Sequence, residues 1–124
     1  MMKTLVLDFD GVLHSYSSGW VAPTRVPDPP VPGAMGFLVE AVKHFKVDIF
    51  SSRSGQPGGI DAMKHWLLLN LSENFGEEGE KAFHKLFFPT TKPAAHLTID
   101  DRAVCFTGTF PSIDEIKQFK PWNK

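Results

Sequence analysis

Cysteine and long apolar runs are both scarce in this 124-residue chain. The single cysteine, Cys105, excludes an internal disulfide and a cysteine cluster for zinc, which favours a reducing compartment. The apolar runs are far shorter than the roughly 20 residues that cross a membrane. The first of them is soon interrupted by Asp8 and Asp10, which argues against a signal peptide. We therefore expect a cytoplasmic protein with no membrane partner.

An excess of charge of one sign is also missing. The chain has 13 Lys and Arg residues against 14 Asp and Glu residues, which gives a net charge of −1. An enzyme dedicated to polynucleotides would be expected to carry a basic groove. Nucleic acid is therefore a possible partner that the charge does not indicate.

The length of the chain limits the number of domains. A chain of 124 residues buries one core and has no room for a second lobe, so we predict a single domain over residues 1–124. Five prolines and several serines lie within residues 13–32. Because this composition excludes a long helix, we expect residues 13–32 to form a flap or loop.

Short aliphatic runs alternate with segments of helical spacing along the rest of the chain. The runs predict about five strands, at residues 3–7, 47–50, 86–88, 97–99 and 103–106. Helical spacing predicts helices over residues 33–45 and around residues 63–71, and Ser112 to Glu115 forms a capping box for a last helix to about Lys120. We predict a three-layer, Rossmann-like α/β sandwich with a mostly parallel sheet of about five strands.

Two aspartates one residue apart follow the first predicted strand. Side chains alternate along a strand, so Asp8 and Asp10 are expected on one side, with Phe9 turned into the core. Two carboxylates about 4 Å apart repel each other by roughly 4 kcal/mol at an effective dielectric constant near 20, unless a cation or a raised pKa relieves the repulsion. The alternative is a plain Asp-Gly turn at a strand end.

Polar residues follow two further predicted strands. Ser51 follows one strand, Asp100 and Asp101 follow another, and Lys92 lies in the chain just before that second strand. Ligands bind at the carboxyl ends of strands in open parallel sheets, so these residues are candidates for one site. Each also has a structural interpretation: Ser51 or Ser52 caps a turn, Lys92 is a surface lysine, and the acidic pair starts a turn.

The order of these motifs resembles the haloacid dehalogenase-like (HAD) superfamily of phosphohydrolases. The first motif of the family is matched by Asp8-Phe9-Asp10-Gly11-Val12, the second by Ile49-Phe50-Ser51, the third by Lys92 and the fourth by residues 97–101. The resemblance extends from residue 3 to about residue 106 and implies a HAD-like catalytic domain. Neither inter-motif segment is long enough for a lid, so we expect no cap domain.

The resemblance also implies roles for the acidic residues. Asp8 would be the nucleophile that forms an aspartyl-phosphate, and Asp10 would be the general acid and base. The cofactor would be Mg²⁺, bound by the carboxylates of Asp8 and Asp100 and the main-chain carbonyl of Asp10, with Asp101 helping directly or through water.

The remaining motif residues would bind the substrate. Ser51 and Lys92 would hold the phosphoryl oxygens, and Ser52 and Arg53 lie where they would contact the phosphate or the rest of the substrate. Flap residues are expected to contact the leaving group, and these include His14, Tyr16, Trp20 and Arg25. Trp20 has an equally good interpretation as an anchor of the flap.

The implied activity is a Mg²⁺-dependent phosphohydrolase with a phosphorylated substrate of unknown identity. An open site admits a polynucleotide end or a phosphoprotein, and a second subunit of an oligomer is a possible lid. The alternatives are a phosphotransferase, a polynucleotide end phosphatase, and a non-catalytic HAD-like module that binds phosphate or a partner.

Overall fold

A small parallel sheet and three helices make up the fold of the computed structural model, which describes residues 2–124. The elements in chain order are β1 (Thr4–Leu7), α1 (Ala34–Ala41), β2 (Lys46–Ile49), α2 (Gly59–Phe83), β3 (Leu97–Ile99) and α3 (Ile113–Lys117). The helix α1 packs against α2. Within the described residues, no helix is both long enough and apolar enough to span a membrane.

The strand β1 lies at the centre of the sheet and pairs in parallel with both neighbours. The strand order is β2-β1-β3, and Leu7 is opposite Ile49 on one side and Ile99 on the other. The Asp8 N–H donates to the Ile99 carbonyl at 3.0 Å. The carboxyl ends of all three strands therefore meet at one edge of the sheet, and the residues of the predicted motifs follow the strands there.

The prediction of a five-stranded Rossmann-like sandwich is wrong, because the sheet has three strands within residues 2–124. The run at residues 86–88 forms only an isolated bridge, between Phe87 and Asp48, and Pro89 follows the run directly. Residues 103–106 form no strand, and Val104 and Phe106 are exposed. Phe87 exchanges two backbone hydrogen bonds with β2, but Pro89, which has no N–H to donate, follows two residues later and keeps the pairing from continuing. Residues 103–106 pair with no strand within residues 2–124, so their backbone lacks the partner that a strand needs.

The helices also differ from their predicted bounds. The first ends at Ala41 instead of residue 45, and turns lead from it into β2. The second continues to Phe83, although Gly76 interrupts it with φ 56° and ψ −131°. Only the start of the last helix is confirmed: the Ser112 hydroxyl accepts a hydrogen bond from the Glu115 N–H at 3.1 Å. That helix ends at Lys117.

Burial is uneven along the chain. The core is built from β1, β2, α1 and α2 together with the loop after β1, and residues such as Phe9 are completely inaccessible. The strand β3 is different, because Leu97 is 54% exposed and only Ile99 packs against the core. Residues 102–120 are almost entirely exposed, and α3 has no buried residue. The carboxyl ends of β1 and β3 lie where the buried and exposed parts of the chain meet.

Candidate functional site

Three carboxylates converge at the carboxyl ends of β1 and β3. One carboxylate oxygen from each of Asp8, Asp100 and Asp101 lies within 4.8 Å of the other two. The parallel pairing of the strands causes this proximity, since β1 and β3 end side by side. Asp8 and Asp101 are half-buried, and Asp100 is exposed. Such a group of hard oxygen donors, open on one side, suits a divalent cation that keeps part of its water.

Asp101 provides a test of whether a cation fits. Its Oδ1 atom is buried and has no hydrogen-bond partner within the described chain. Its carboxylate also lies against the backbone of Gly11, where it fills the space that a Cβ atom would need. A buried carboxylate oxygen without a partner is costly, and a cation bound by these acids would satisfy it. The three carboxylates therefore fit Mg²⁺.

The Asp8 carboxyl group stays mostly protonated at neutral pH when no cation is bound. Burial raises the pKa of Asp8 to about 8, and the adjacent side chain of Asp101 and the negative charges of Asp100 and Asp101 act in the same direction. The Phe9 N–H, which donates to Asp8 Oδ1 at 2.8 Å, lowers the pKa but only in part. At neutral pH a cation would have to displace this proton before Asp8 acts as an anion.

Asp10 is held in a different environment from Asp8. Because β1 ends at Leu7, strand alternation does not extend to Asp10, and its carboxylate is not part of the three-acid cluster within residues 2–124. Its Oδ2 accepts from Arg53 Nε at 2.8 Å, and its Oδ1 accepts from Arg53 Nη2 at 3.1 Å and from His14 Nδ1 at 2.8 Å. Burial by itself raises the pKa of Asp10, but these hydrogen bonds and the positive charge of Arg53 lower it overall.

His14 is a support for Asp10 and does not face a substrate. Its Nε2 accepts the Asp28 N–H at 3.0 Å, so the proton of the neutral ring is on Nδ1 and is donated to Asp10. The ring is completely buried between Phe9 and Trp66, with both ring-centroid distances at 5.5 Å. The His14 side chain is therefore inaccessible to a leaving group in this structure.

Arg53 connects Asp10 to the flap. The side chain is fully buried, and its Nη1 donates to the carbonyls of three flap residues, Ala22, Pro23 and Arg25, at 3.1, 2.8 and 2.9 Å. Its remaining hydrogen bonds are the two to Asp10. The guanidinium group is thus oriented toward Asp10 and the flap, and it does not face an open phosphate site.

The other predicted phosphate ligands form no hydrogen bond with the three clustered acids within residues 2–124. The buried Ser51 hydroxyl accepts the Arg53 N–H at 3.1 Å, which is the turn-capping geometry. Ser52 is exposed, and its carbonyl accepts the Gln56 amide at 2.8 Å. Lys92 is exposed in the segment before β3 and, within residues 2–124, forms no hydrogen bond or ion pair with the acids.

The structure places Trp122 against the loop after β1, a contact that the sequence does not predict. The Trp122 Nε1–H donates to the Gly11 carbonyl at 2.8 Å, across 111 positions of the chain. Asn123 next to it donates to the Ser15 carbonyl at 3.0 Å. No local pattern predicts such a contact, and it fastens the end of the described chain to the loop that carries Asp8 and Asp10.

The comparisons with known proteins found no matching family model, no matching curated protein and no matching solved structure. The resemblance to the HAD superfamily therefore stays a hypothesis that rests on the motif residues themselves.

Proposed function

We propose that this chain is a Mg²⁺-dependent phosphohydrolase of HAD type that acts on a phosphomonoester through an aspartyl-phosphate on Asp8. The observation that carries the proposal is the carboxylate cluster of Asp8, Asp100 and Asp101, in which Asp101 retains a buried oxygen without a partner. A cluster that is repulsive by itself and fitted to a divalent cation is what an anionic nucleophile needs when it attacks an anionic substrate.

The three clustered acids would hold the Mg²⁺ ion, and the resemblance adds the main-chain carbonyl of Asp10. When bound, the cation would neutralise charge on the phosphoryl oxygens and on the acids. The ionised Asp8 carboxylate attacks phosphorus, and the bond between phosphorus and the leaving oxygen breaks. The leaving oxygen then needs a proton if it is a strongly basic alkoxide.

Asp10 is better suited to the second half of the reaction than to the first. Its lowered pKa keeps it ionised near neutral pH, so it lacks the proton that the first half needs, and it acts in the second half as a weak base that takes a proton from the water that hydrolyses the aspartyl-phosphate. Protonation of the leaving oxygen is correspondingly weak. Aryl phosphates, whose leaving groups depart as anions, are therefore expected to be hydrolysed faster than alkyl phosphates.

The test is a phosphate-release screen in the presence of Mg²⁺ or EDTA. Sugar phosphates, nucleotides, phosphorylated oligonucleotides and p-nitrophenyl phosphate cover the substrate classes, and added alcohols detect transfer to a different acceptor. Acid-quenched samples are analysed by mass spectrometry for a hydroxylamine-sensitive phosphate on Asp8. Mg²⁺-dependent release with a label on Asp8 supports the proposal, and release that is insensitive to EDTA contradicts it.

A second candidate is a non-catalytic module that binds phosphate or a partner. The observations that favour it are the hydrogen bonds of Arg53 and His14, which hold Asp10 in its ionised form, and the lack of a hydrogen bond or ion pair between Lys92 and the acids within residues 2–124. This candidate predicts Mg²⁺ binding together with beryllofluoride or phosphate binding, measured by calorimetry, but no turnover of any substrate in the screen.

We expect Mg²⁺ binding to strengthen as the pH rises toward 8. Because the cation displaces the proton on Asp8, whose pKa is about 8, the apparent affinity should increase by up to about tenfold per pH unit below that value. Calorimetry in buffers of different ionisation enthalpy at pH 6 to 7 should detect the release of about one proton per ion. Asp8→Asn should bind the ion without that release. Affinity that does not change between pH 6 and pH 8 would contradict the placement of the ion at Asp8.

The same pKa shift affects the metal-free protein in the opposite direction. The pKa of Asp8 is raised from 3.8 to about 8 on folding, so between these values the unfolded chain binds fewer protons than the folded chain. The contribution of Asp8 to the free energy of unfolding therefore falls as the pH rises through this window. Urea unfolding in EDTA should show wild type losing stability relative to Asp8→Asn between pH 5 and pH 8.

A further inference from the structure

The flap is connected to Asp10 by two separate routes. The first passes through Arg53, which bonds both carboxylate oxygens of Asp10 and the carbonyls of Ala22, Pro23 and Arg25. The second passes through His14, which bonds Asp10 through Nδ1 and the Asp28 N–H through Nε2. Residues 22–28 of the flap therefore meet the carboxylate of Asp10 through two fully buried side chains.

Further contacts hold the flap at Asp28 and at Trp20. Trp66, on the buried face of α2, donates its indole N–H to the Asp28 carbonyl at 2.9 Å. The Asp28 carboxylate accepts the Ser18 N–H at 2.8 Å and bonds the Ser18 hydroxyl. The centroid of the Trp20 ring lies 4.9 Å from the Arg53 guanidinium carbon in a cation–π contact, and the Trp20 residue stays 44% exposed. The flap is thus bonded along its length to the interior of the protein.

We infer that residues 22–28 are a fixed support that sets the position of the Asp10 carboxylate. Arg53 and His14 are the positioning residues, because each of them bonds both the flap and Asp10. The inference rests on the proposed function, in which Asp10 takes a proton from water. A flap built in this way does not open as a lid during turnover, because opening would break the hydrogen bonds of two buried side chains and leave Asp10 without its partners. Substrate therefore enters on the side of Asp100, which is exposed.

Two substitutions of His14 separate its two hydrogen bonds. The amide nitrogen of His14→Asn occupies the place of Nδ1, so this variant keeps the bond to Asp10 and loses the bond to the flap. The longer His14→Gln reaches the place of Nε2, so it keeps an acceptor for the Asp28 N–H and loses the bond to Asp10. Arg53→Lys keeps the positive charge and loses the planar fork that serves Asp10 and the flap together.

The flap is monitored independently of activity by limited tryptic cleavage after Arg25, compared with cleavage after Lys117 in exposed α3. We expect His14→Asn and Arg53→Lys to accelerate cleavage after Arg25 relative to Lys117, whereas His14→Gln leaves that ratio near the wild-type value. In all three variants kcat should fall by about tenfold or more, because Asp10 is misplaced in each. Mg²⁺ bound by the three acids is expected to raise the melting temperature of the wild type, because a ligand that binds only the folded state stabilises it. This rise should stay within error of wild type in all three variants, since none of them changes a side chain of the three-acid cluster.

The decisive variant is His14→Asn, which retains the direct bond to Asp10. Faster cleavage after Arg25 together with a wild-type kcat would overturn the inference, because the flap would then have moved without effect on Asp10. If His14→Asn does not fold, the same comparison is made with Arg53→Lys. Failure of the proposed function would appear differently, as absence of turnover in the wild type. In that case the cleavage assay alone tests the inference, and equal cleavage ratios in wild type and Arg53→Lys would show that Arg53 does not hold the flap.

Discussion

Substitution of Asp8 by asparagine is expected to reduce phosphate release by on the order of a thousandfold or more, because an amide is a poor nucleophile toward phosphorus. The label on this residue in acid-quenched samples should disappear as well. Release is measured with p-nitrophenyl phosphate at saturating Mg²⁺, so that weaker metal binding does not account for the loss.

A folding defect would not explain this result. The amide introduced by Asp8→Asn has no charge to desolvate, so in EDTA at pH 8 the variant should be at least as stable as wild type, in which burial disfavours the ionised form of Asp8. Asp61→Asn, a change at an exposed aspartate in the first turn of α2, is the matched control and should keep wild-type release. Asp8→Asn with more than a tenth of the wild-type rate would show that Asp8 is not the nucleophile.

Substitution of Gly11 by alanine should cause the second large effect. The backbone at Gly11 has φ +84°, which disfavours any residue with a Cβ atom, and the added Cβ would collide with the Asp101 carboxylate. We expect the free energy of unfolding to fall by roughly 2–4 kcal/mol, the sum of the left-handed backbone penalty and the displacement of a packed side chain. Urea unfolding measures this change.

Gly33→Ala separates the two causes. Gly33 has nearly the same backbone angle, φ +86°, but no atom lies within 4 Å of its ideal Cβ position. It should lose only the conformational part, about 1–2 kcal/mol. Gly11→Ala should also weaken Mg²⁺ binding at least tenfold by moving Asp101, whereas Gly33→Ala should not. Equal stability losses and unchanged Mg²⁺ binding in both variants would show that Asp101 does not depend on the absence of a side chain at position 11.

The part of the site that follows from the sequence is the part that strand pairing determines. Asp8 and Asp100 directly follow apolar runs, and parallel strands end at a common edge, so their proximity follows from a general rule. The number of strands does not follow in the same way. Residues 103–106 are as apolar as a strand, but pairing depends on a neighbour that the composition of the run does not specify.

The surroundings of Asp10 depend on contacts that are distant along the chain. Arg53 bonds flap carbonyls 28 to 31 positions away, and these acceptors are backbone atoms that every residue carries. The motif therefore does not predict the orientation of the Arg53 guanidinium group. The contact between His14 and Asp10 is a partial exception, because the two residues lie only four positions apart in the same loop.

The position of β3 at the edge of the sheet has a thermodynamic consequence. Two of the three clustered acids follow this strand, which is bonded only to β1 and whose first residues are exposed, whereas Asp8 follows the central, buried strand. Exposed edge strands open at a lower free energy than buried central ones, so a cation held by all three acids would link a segment of low local stability to the core of the sheet. Its measured affinity is the intrinsic affinity multiplied by the fraction of molecules in which β3 is docked. A ligand titration of this protein is therefore also a measurement of its local folding equilibrium.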